Sequence, residues 1–320
     1  MDIFNFDKYE HHRVEYGGRS SRKEILVLDD NSRWMIKFHG RNSHIKRQRK
    51  NENLPDYTNS VICEWLGSHI YQKLGFQTQN TILGYLNNQL VVACQHIYEK
   101  GEILYELRGM IKSLNDDFFE FFSSGGTISD IQSLSRLLNS AQIFSEINLN
   151  EYFWDIFVAD AFINNTDRNL GNIGLIFSLD NKFRKSPIYD NGNSFNSRLT
   201  EEGMKNILRN WNNQSKSVFL NSRCPYKIED TPIDPLTYIY KNPCADCIDA
   251  IGRIVPRINL SECIKPVLEL KDSGVISKTQ SAFYVMTMSM RYRKRLLPAY
   301  EQHFGPLQKD EDLQAMTPRF

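Results

Sequence analysis

The sequence predicts an α+β chain in two lobes. A small, antiparallel, β-rich lobe with one main helix is expected over residues 1–97, and a larger, mostly helical lobe over 98–320. Three observations predict it. Short apolar runs separated by turn residues fill the first hundred positions. Apolar residues at three- and four-residue spacing dominate the rest of the chain. Between them an apolar aromatic helix, Glu151 to Ile163, delivers a loop on which Asp167 and Asn172 lie, with Asp190 eighteen residues beyond Asn172.

Length and composition set the frame. With 320 residues there is room for two lobes, each with a core, and 41% hydrophobic with 24% charged residues is ordinary for a globular chain. A formal net charge of +1 gives no global field that would draw nucleic acid or a membrane, so neither is expected as a partner. Only Cys244 and Cys247 form a CxxC pair, and no second pair or histidines follow at zinc-ligand spacing. Reduced structural thiols in a cytoplasmic protein are the simplest meaning. Met1 to His12 carries Asp2, Asp7 and Glu10 without an apolar core, so no secretory signal is expected there, and no run reaches membrane-spanning length.

In the first lobe, Tyr16-Gly17-Gly18-Arg19-Ser20-Ser21-Arg22-Lys23 is a glycine-led polar turn between strands. Paired glycines let backbone N–H groups approach phosphate oxygens, with basic side chains adding charge; a plain hairpin is the commoner meaning of the same residues. Glu24 to Leu28 and Trp34 to Phe38 read as strands, and Lys37 sits inside the second, where a lysine needs a partner, a ligand or open water. The basic stretch Lys46 to Lys50 reads as a solvated loop. Thr58 to Leu74 is a helix by spacing, capped by Thr58, Asn59 or Ser60 and ended by Gly75. Its Glu64 is either a partner for Lys37 or a surface glutamate. Thr81 to Leu86 and Gln89 to Cys94 are strands joined by the tight turn Asn87-Asn88, and Gln95-His96-Ile97 is where a hinge would fall.

In the second lobe, Gly101 to Leu149 reads as helices interrupted by the loop Ser123 to Gly126, with Asn150 capping the apolar helix. Strands are expected at Ile173 to Phe177 and Ser186 to Tyr189, the latter delivering Asp190. Gly192 to Leu220 reads as a polar loop, and residues 221 to 320 as mainly helical, with Arg291 to Arg295 a solvated basic face.

Asp, then Asn, then Asp on two consecutive loops is the order that phosphoryl transfer uses. One aspartate orients or deprotonates the attacking hydroxyl, while the asparagine and the second aspartate hold metal on the nucleotide phosphates. Magnesium, with its preference for hard oxygen ligands, suits Asn172 and Asp190. Each residue alone is equally a turn former. Three in this order behind a buried helix point to a kinase catalytic loop and metal loop.

With these residues in hand, the chain resembles the HipA-type kinases, and most of all their short CtkA-type members. Trp34 to Phe38, the Glu64 helix, Leu90 to Cys94, Asp167-Arg168-Asn169-Leu170-Gly171-Asn172 and Pro187-Ile188-Tyr189-Asp190 carry the resemblance. It implies a bilobal protein-kinase-like fold that uses ATP and Mg2+ to phosphorylate Ser or Thr of a protein substrate. It further implies that Asp167 is catalytic and that Asn172 and Asp190 are metal ligands. Lys37, partnered by Glu64, would bind phosphates, aided by Gly17, Gly18, Ser20, Ser21 and Lys23. The backbone of Cys94, Gln95, His96 and Ile97 would hold adenine. Asn169 stands where the family commonly has histidine. The resemblance also implies autophosphorylation, in some relatives on a serine of the glycine-rich loop, which makes Ser20 and Ser21 candidate sites. A lipid or small-molecule kinase, or a catalytically silent scaffold, are the other readings; the presence of Lys37, Asp167, Asn172 and Asp190 together counts against the scaffold.

Overall fold

Residues 3–13, 23–42, 56–113, 129–220 and 222–307 are described by the computed structural model, of which 11–13 and 23 contribute backbone only. Gly17, Gly18, Ser20 and Ser21 therefore lie outside the described residues, as do the side chain of Lys23, the basic stretch Lys46 to Lys50 and the loop Ser123 to Gly126.

The first six strands, β1 (Phe4–Asn5), β2 (His11–Arg13), β3 (Lys23–Val27), β4 (Arg33–Lys37), β5 (Thr81–Leu86) and β6 (Gln89–Gln95), make one sheet in the order β1-β5-β6-β4-β3-β2. Every pairing is antiparallel except β1 with β5. Strand alternation sorts the side chains to two faces. Trp34, Ile36, Phe38, Val91 and Ala93 fill a small outer core with Phe6, Leu26 and Leu86. Val92, Cys94 and Leu83 face the other way, into a second and much larger core. The Asn87-Asn88 turn has φ of 50° and 60°, the left-handed pair that a two-residue hairpin needs and that asparagine tolerates.

Helix α1 (Ser60–Lys73) covers the inner face of this sheet and ends before Gly75, at φ 83°. Its Asn59 occupies the N-cap position without a side-chain bond to the helix. Val61, Trp65, Leu66 and Ile70 belong to the large core, which continues without a break into the helices of the second lobe.

The second lobe is built around α5 (Leu149–Ile163), in which Phe153, Trp154, Ile156, Phe157, Val158, Phe162 and Ile163 are all buried. Before it come α2 (Leu107–Ser113), α3 (Ile131–Ser140) and α4 (Gln142–Ser145). After it come α6 (Glu201–Leu208), α7 (Trp211–Phe219), a short hairpin of β10 (Lys227–Ile228) and β11 (Thr231–Pro232), α8 (Pro235–Lys241), α9 (Ala245–Ile254), α10 (Leu260–Asp272), α11 (Lys278–Arg291) and α12 (Leu297–Phe304). No helix among the described residues is long and apolar enough to cross a membrane.

Five local expectations are corrected. Ile103–Glu106 is a strand, β7, pairing with β8 (Gly174–Phe177), which pairs in turn with β9 (Phe183–Lys185). Its four residues, Ile-Leu-Tyr-Glu, show no period-two alternation that would mark a strand. Ser186 to Tyr189 is no strand; β9 ends at Lys185, and Ile188 makes one isolated bridge to Thr78. The polar segment after Gly192 holds α6 and α7, started by the side-chain caps Thr200 and Asn210. Asn150 lies inside α5 and binds Ser135 and Asp246 instead of capping. Arg291 is buried: Nη1 donates to Ala161 O at 2.8 Å and Nη2 to Val218 O at 3.2 Å, and burial lowers its pKa to about 9. Cys247 is core packing, as expected.

Gly84 marks where β1 is seated. A β-carbon there would lie 2.4 Å from Phe6 Cε2 and 2.5 Å from Phe4 O. Gly84→Ala should lower unfolding stability by about 1–3 kcal/mol, the usual size of core overpacking, read as a lower midpoint in thermal or urea unfolding. An unchanged midpoint would show that the Phe4–Asn5 strand is not packed this way.

Candidate active site

Alternation along β4 decides where Lys37 goes. With Trp34, Ile36 and Phe38 committed to the outer core, Met35 and Lys37 must point inward, toward α1. Lys37 Nζ lies 2.9 Å from Glu64 Oε2 and 3.0 Å from Asp190 Oδ1. The lysine and Glu64 side chains are 11% and 2% exposed, whereas Asp190 is 43% exposed and opens to solvent. Burial works against the ammonium charge, but Asp190 and Glu64 outweigh it and hold the Lys37 pKa well above its ordinary value. The lysine is thus charged, buried and fixed by two carboxylates, and it is the Asp190 end of this cluster that opens to solvent.

Asp167 and Asn172 are delivered by the end of α5. Asn164 closes that helix in the left-handed conformation, φ 55°, and Asn165 N–H returns to Asp160 O at 3.0 Å. The loop is then tied to itself. Asn172 Nδ2 donates to Asp167 O at 2.7 Å, and Asn169 Nδ2 donates to Asp167 Oδ1 at 3.1 Å. Asn172 Oδ1 makes no hydrogen bond among the described residues and remains for a ligand. Burial raises the Asp167 pKa above the ordinary carboxylate value, opposed by the Asn169 hydrogen bond. Asp190 itself has φ 59°, a conformation that costs a non-glycine residue about 1–2 kcal/mol. The strain turns the chain so that Asp190 faces Lys37 while Asn191 turns inward.

One buried guanidinium joins the two loops. Arg168 Nε donates to Asp160 Oδ2 at 3.0 Å. Its Nη1 donates to the carbonyls of Asn172, at 3.3 Å, and of Tyr189, and its Nη2 to Asn191 Oδ1. Burial opposes the charge, but Asp160 raises the Arg168 pKa further. The carbonyl of Asn172 and the residues on either side of Asp190 thus share one cation.

Helix α1 supplies the other half of the frame, through Glu64, Ser68 and Tyr71 at i, i+4 and i+7 on one face. Glu64 Oε1 accepts from Asn191 N at 2.9 Å, Ser68 Oγ from Asn191 Nδ2 at 3.1 Å, and Tyr71 O–H donates to Asp160 Oδ1 at 2.7 Å. Gly67, on the same face, permits the approach: a β-carbon there would sit 2.6 Å from Asn191 Cβ.

At the expected hinge the backbone is partly committed. Gln95 N–H donates to Asn80 O at 2.9 Å and Gln95 C=O accepts from Gln79 Nε2 at 2.8 Å, while His96 N–H donates to Arg33 O. Cys94 is fully buried in β6. The main-chain groups of Gln95 and the His96 N–H are thus already taken within the protein.

Lys37, Glu64, Asp167, Asn169, Asn172 and Asp190 are all brought to this one place. The sequence reading missed Asp160, Ser68, Tyr71, Arg108, Asn191 and Asn193, and it gave Arg168 no task. Asp160 carried a signal, as a carboxylate in an otherwise apolar helix. The polar i, i+4, i+7 stripe on α1 was the other. Hard oxygens at Asn172 and Asp190 fit a magnesium ion that takes few protein ligands and completes its shell with phosphate and water. Among the described residues no three acidic, histidine or cysteine side chains cluster as an all-protein metal cage.

Sheet, covering helix and paired loops define the protein-kinase-like fold. Comparison with known proteins agrees. The chain is homologous to the serine/threonine-protein kinase CtkA of Helicobacter pylori strain J99, with 27% identity over 253 residues, covering 77% of this chain and 73% of that protein. The crystal structure of a Helicobacter pylori proinflammatory kinase CtkA superposes with a TM-score of 0.82 at 21% identity, covering 94% of this chain and 99% of that one. HipA of Shewanella oneidensis, solved with HipB and operator DNA, shares the fold at a TM-score of 0.51 and 12% identity, covering 96% of this chain and 68% of that one. No family model matches.

If Arg168 is the joint, removing its carboxylate leaves a buried cation short of its partner. Asp160→Ala should cost about 3–5 kcal/mol of unfolding free energy by denaturant titration. A loss below about 1 kcal/mol would mean that the carbonyls and Asn191 hold the guanidinium without it.

Proposed function

We propose that the chain is an ATP-dependent kinase that transfers the γ-phosphoryl group to serine or threonine hydroxyls of protein. The observation that carries this is Lys37 Nζ held between Glu64 and Asp190, with the Asp190 loop joined through Arg168 to the carbonyl of Asn172. Homology to a named serine/threonine-protein kinase supports the acceptor class. The nucleotide is taken to lie between the lobe of residues 1–97 and that of 98–320.

In this reading Lys37 meets the α- and β-phosphates, already charged and oriented by its two carboxylates, so no side-chain order is lost when they arrive. Asn172 and Asp190 would hold Mg2+, which when bound offsets charge on the phosphates. Asp167 accepts the hydrogen bond of the attacking hydroxyl and takes its proton as the new O–P bond forms and the bond to the leaving ADP oxygen breaks. The Arg168 clamp keeps the base and the proposed metal ligands from drifting apart, which matters because misplacement by about 1 Å costs on the order of 100-fold in rate. Nothing in this scheme needs a partner in nucleic acid or membrane, and a cytoplasmic site of action is part of the proposal.

Labelled ATP and Mg2+ offered with generic protein acceptors should give transfer by the wild type. Asp167→Asn and Asp190→Asn should each lower it by roughly 100-fold or more, and chelating the metal should stop it. Nucleotide binding without transfer by the wild type would point to a silent scaffold and sink the proposal.

Autophosphorylation on Ser20 or Ser21 is part of the same reading, since phosphate there would repel the phosphates of ATP. Intact mass after ATP addition should rise by one or more phosphoryl groups in the wild type. A rise that persists in Ser20→Ala/Ser21→Ala would place the site elsewhere.

A further inference from the structure

The metal loop does more than present Asp190. Three residues on, the Asn193 side chain reaches back across the site, and its Nδ2 donates to Asp167 Oδ2 at 3.0 Å. Asn169 Nδ2 donates to the other oxygen, Oδ1, at 3.1 Å. Each oxygen of the carboxylate is therefore held by one neutral amide, the two amides come from different loops, and rotation about the Asp167 side chain is stopped. The backbones touch as well, with Thr166 N–H directed at Asn193 O at 3.5 Å. A carboxylate offers about four lone-pair sites, so two amide donors leave room for an incoming hydroxyl.

The position of Asn193 is itself fixed. Gly192 is closely packed, since a β-carbon would meet Glu64 Oε2 at 3.2 Å and Ser60 O at 3.3 Å. Asn191, one residue further back, is bound by Glu64, Ser68 and Arg168. Asn193 thus hangs from the best-anchored turn of the site.

We infer that Asn193 is a positioning residue: it orients Asp167 and, by riding on the loop of Asp190, ties the direction of the base to the placement of the metal loop. This rests on the kinase reading above. Side-chain amides suit the task because they donate a directed hydrogen bond without adding a charge that would compete with Lys37 for the phosphates.

The test is steady-state kinetics on the full chain with ATP, Mg2+ and a protein acceptor, beside thermal unfolding and the dissociation constant for ATP. Asn193→Ala should lower kcat by about 10- to 100-fold, in keeping with a base that has lost its direction. KM for ATP and for acceptor, ATP affinity and the unfolding midpoint should stay near wild type. Asn193→Gln, which keeps the amide, should recover part of the loss, and Asn193→Asp, which sets a second carboxylate against Asp167, should fall below Asn193→Ala. Unchanged kcat in Asn193→Ala overturns the inference alone. A fall in kcat matched by weaker ATP binding or a lower midpoint also overturns it, in favour of a structural role. A wild type that transfers nothing overturns the kinase reading and this inference with it.

Discussion

The site depends on the burial of one charge. Arg168 is almost wholly enclosed, and a guanidinium out of water must be met on every donor or it costs several kcal/mol. Asp160 supplies the opposite charge, while the carbonyls of Asn172 and Tyr189 and the amide of Asn191 supply the remaining acceptors. Those acceptors belong to two loops that have no strand pairing with each other. The shared cation joins them beside the Asn193–Asp167 and Tyr189–Gly171 hydrogen bonds. Tyr71 binds the same Asp160, and Tyr226 O–H donates to Arg168 O at 2.7 Å, so the joint is tied to α1 and to the helical lobe at once.

This ties the small lobe to the large one firmly at α1. The helix gives Glu64 to Lys37, yet half of its side chains sit in the large core, and its N-terminus is fastened by Asn59 N–H to Ser197 O at 2.7 Å and by Asn59 Nδ2 to Leu199 O at 3.0 Å. Swinging α1 outward to separate Lys37 from Glu64 would open that core and strip Asn191 of two partners. The ion pair is therefore a consequence of packing. The sheet, by contrast, has its own outer core and meets the rest through its inner face, the Lys37–Asp190 ion pair and a few backbone bonds.

How much of this is legible in the sequence depends on the range of the interactions. The α5 helix, the Asn87-Asn88 hairpin and the Glu64 helix are local patterns of burial and turn chemistry, and each falls within a few residues of where it is expected. The pairing of Lys37 with Glu64 comes from chemistry plus fold class. The frame behind it does not. Tyr71 and Asp160 are 89 positions apart in the chain, and Arg168 and Asn191 are 23 apart, yet all four meet at one guanidinium, and no spacing rule announces that. The β7 strand failed for the same reason, because a four-residue segment becomes a strand only through its partner Gly174–Phe177. Arg291 failed because a run of five basic or aromatic residues at a helix end reads as surface, while its first member turns into the gap between the ends of α5 and α7.

Asn169 shows what such a frame tolerates. At a position where histidine is common among the relatives it resembles, the amide meets every demand made on it. Its Oδ1 accepts from Arg108 and from Gly171 N–H at 2.9 Å, and its Nδ2 donates to Asp167 O at 3.2 Å and Oδ1 at 3.1 Å. An imidazole has two ring nitrogens and cannot both accept twice and donate twice in these directions. A neutral imidazole could orient the aspartate, but it would titrate near neutral pH, which an amide does not. The substitution therefore keeps the orienting contact and links it to the fixed charge of Arg108. With Asn193 on the second oxygen, the direction of Asp167 is set by two groups that do not titrate near neutral pH. What this loop needs at the position after Arg168 is a donor and an acceptor on one short side chain, and asparagine supplies both.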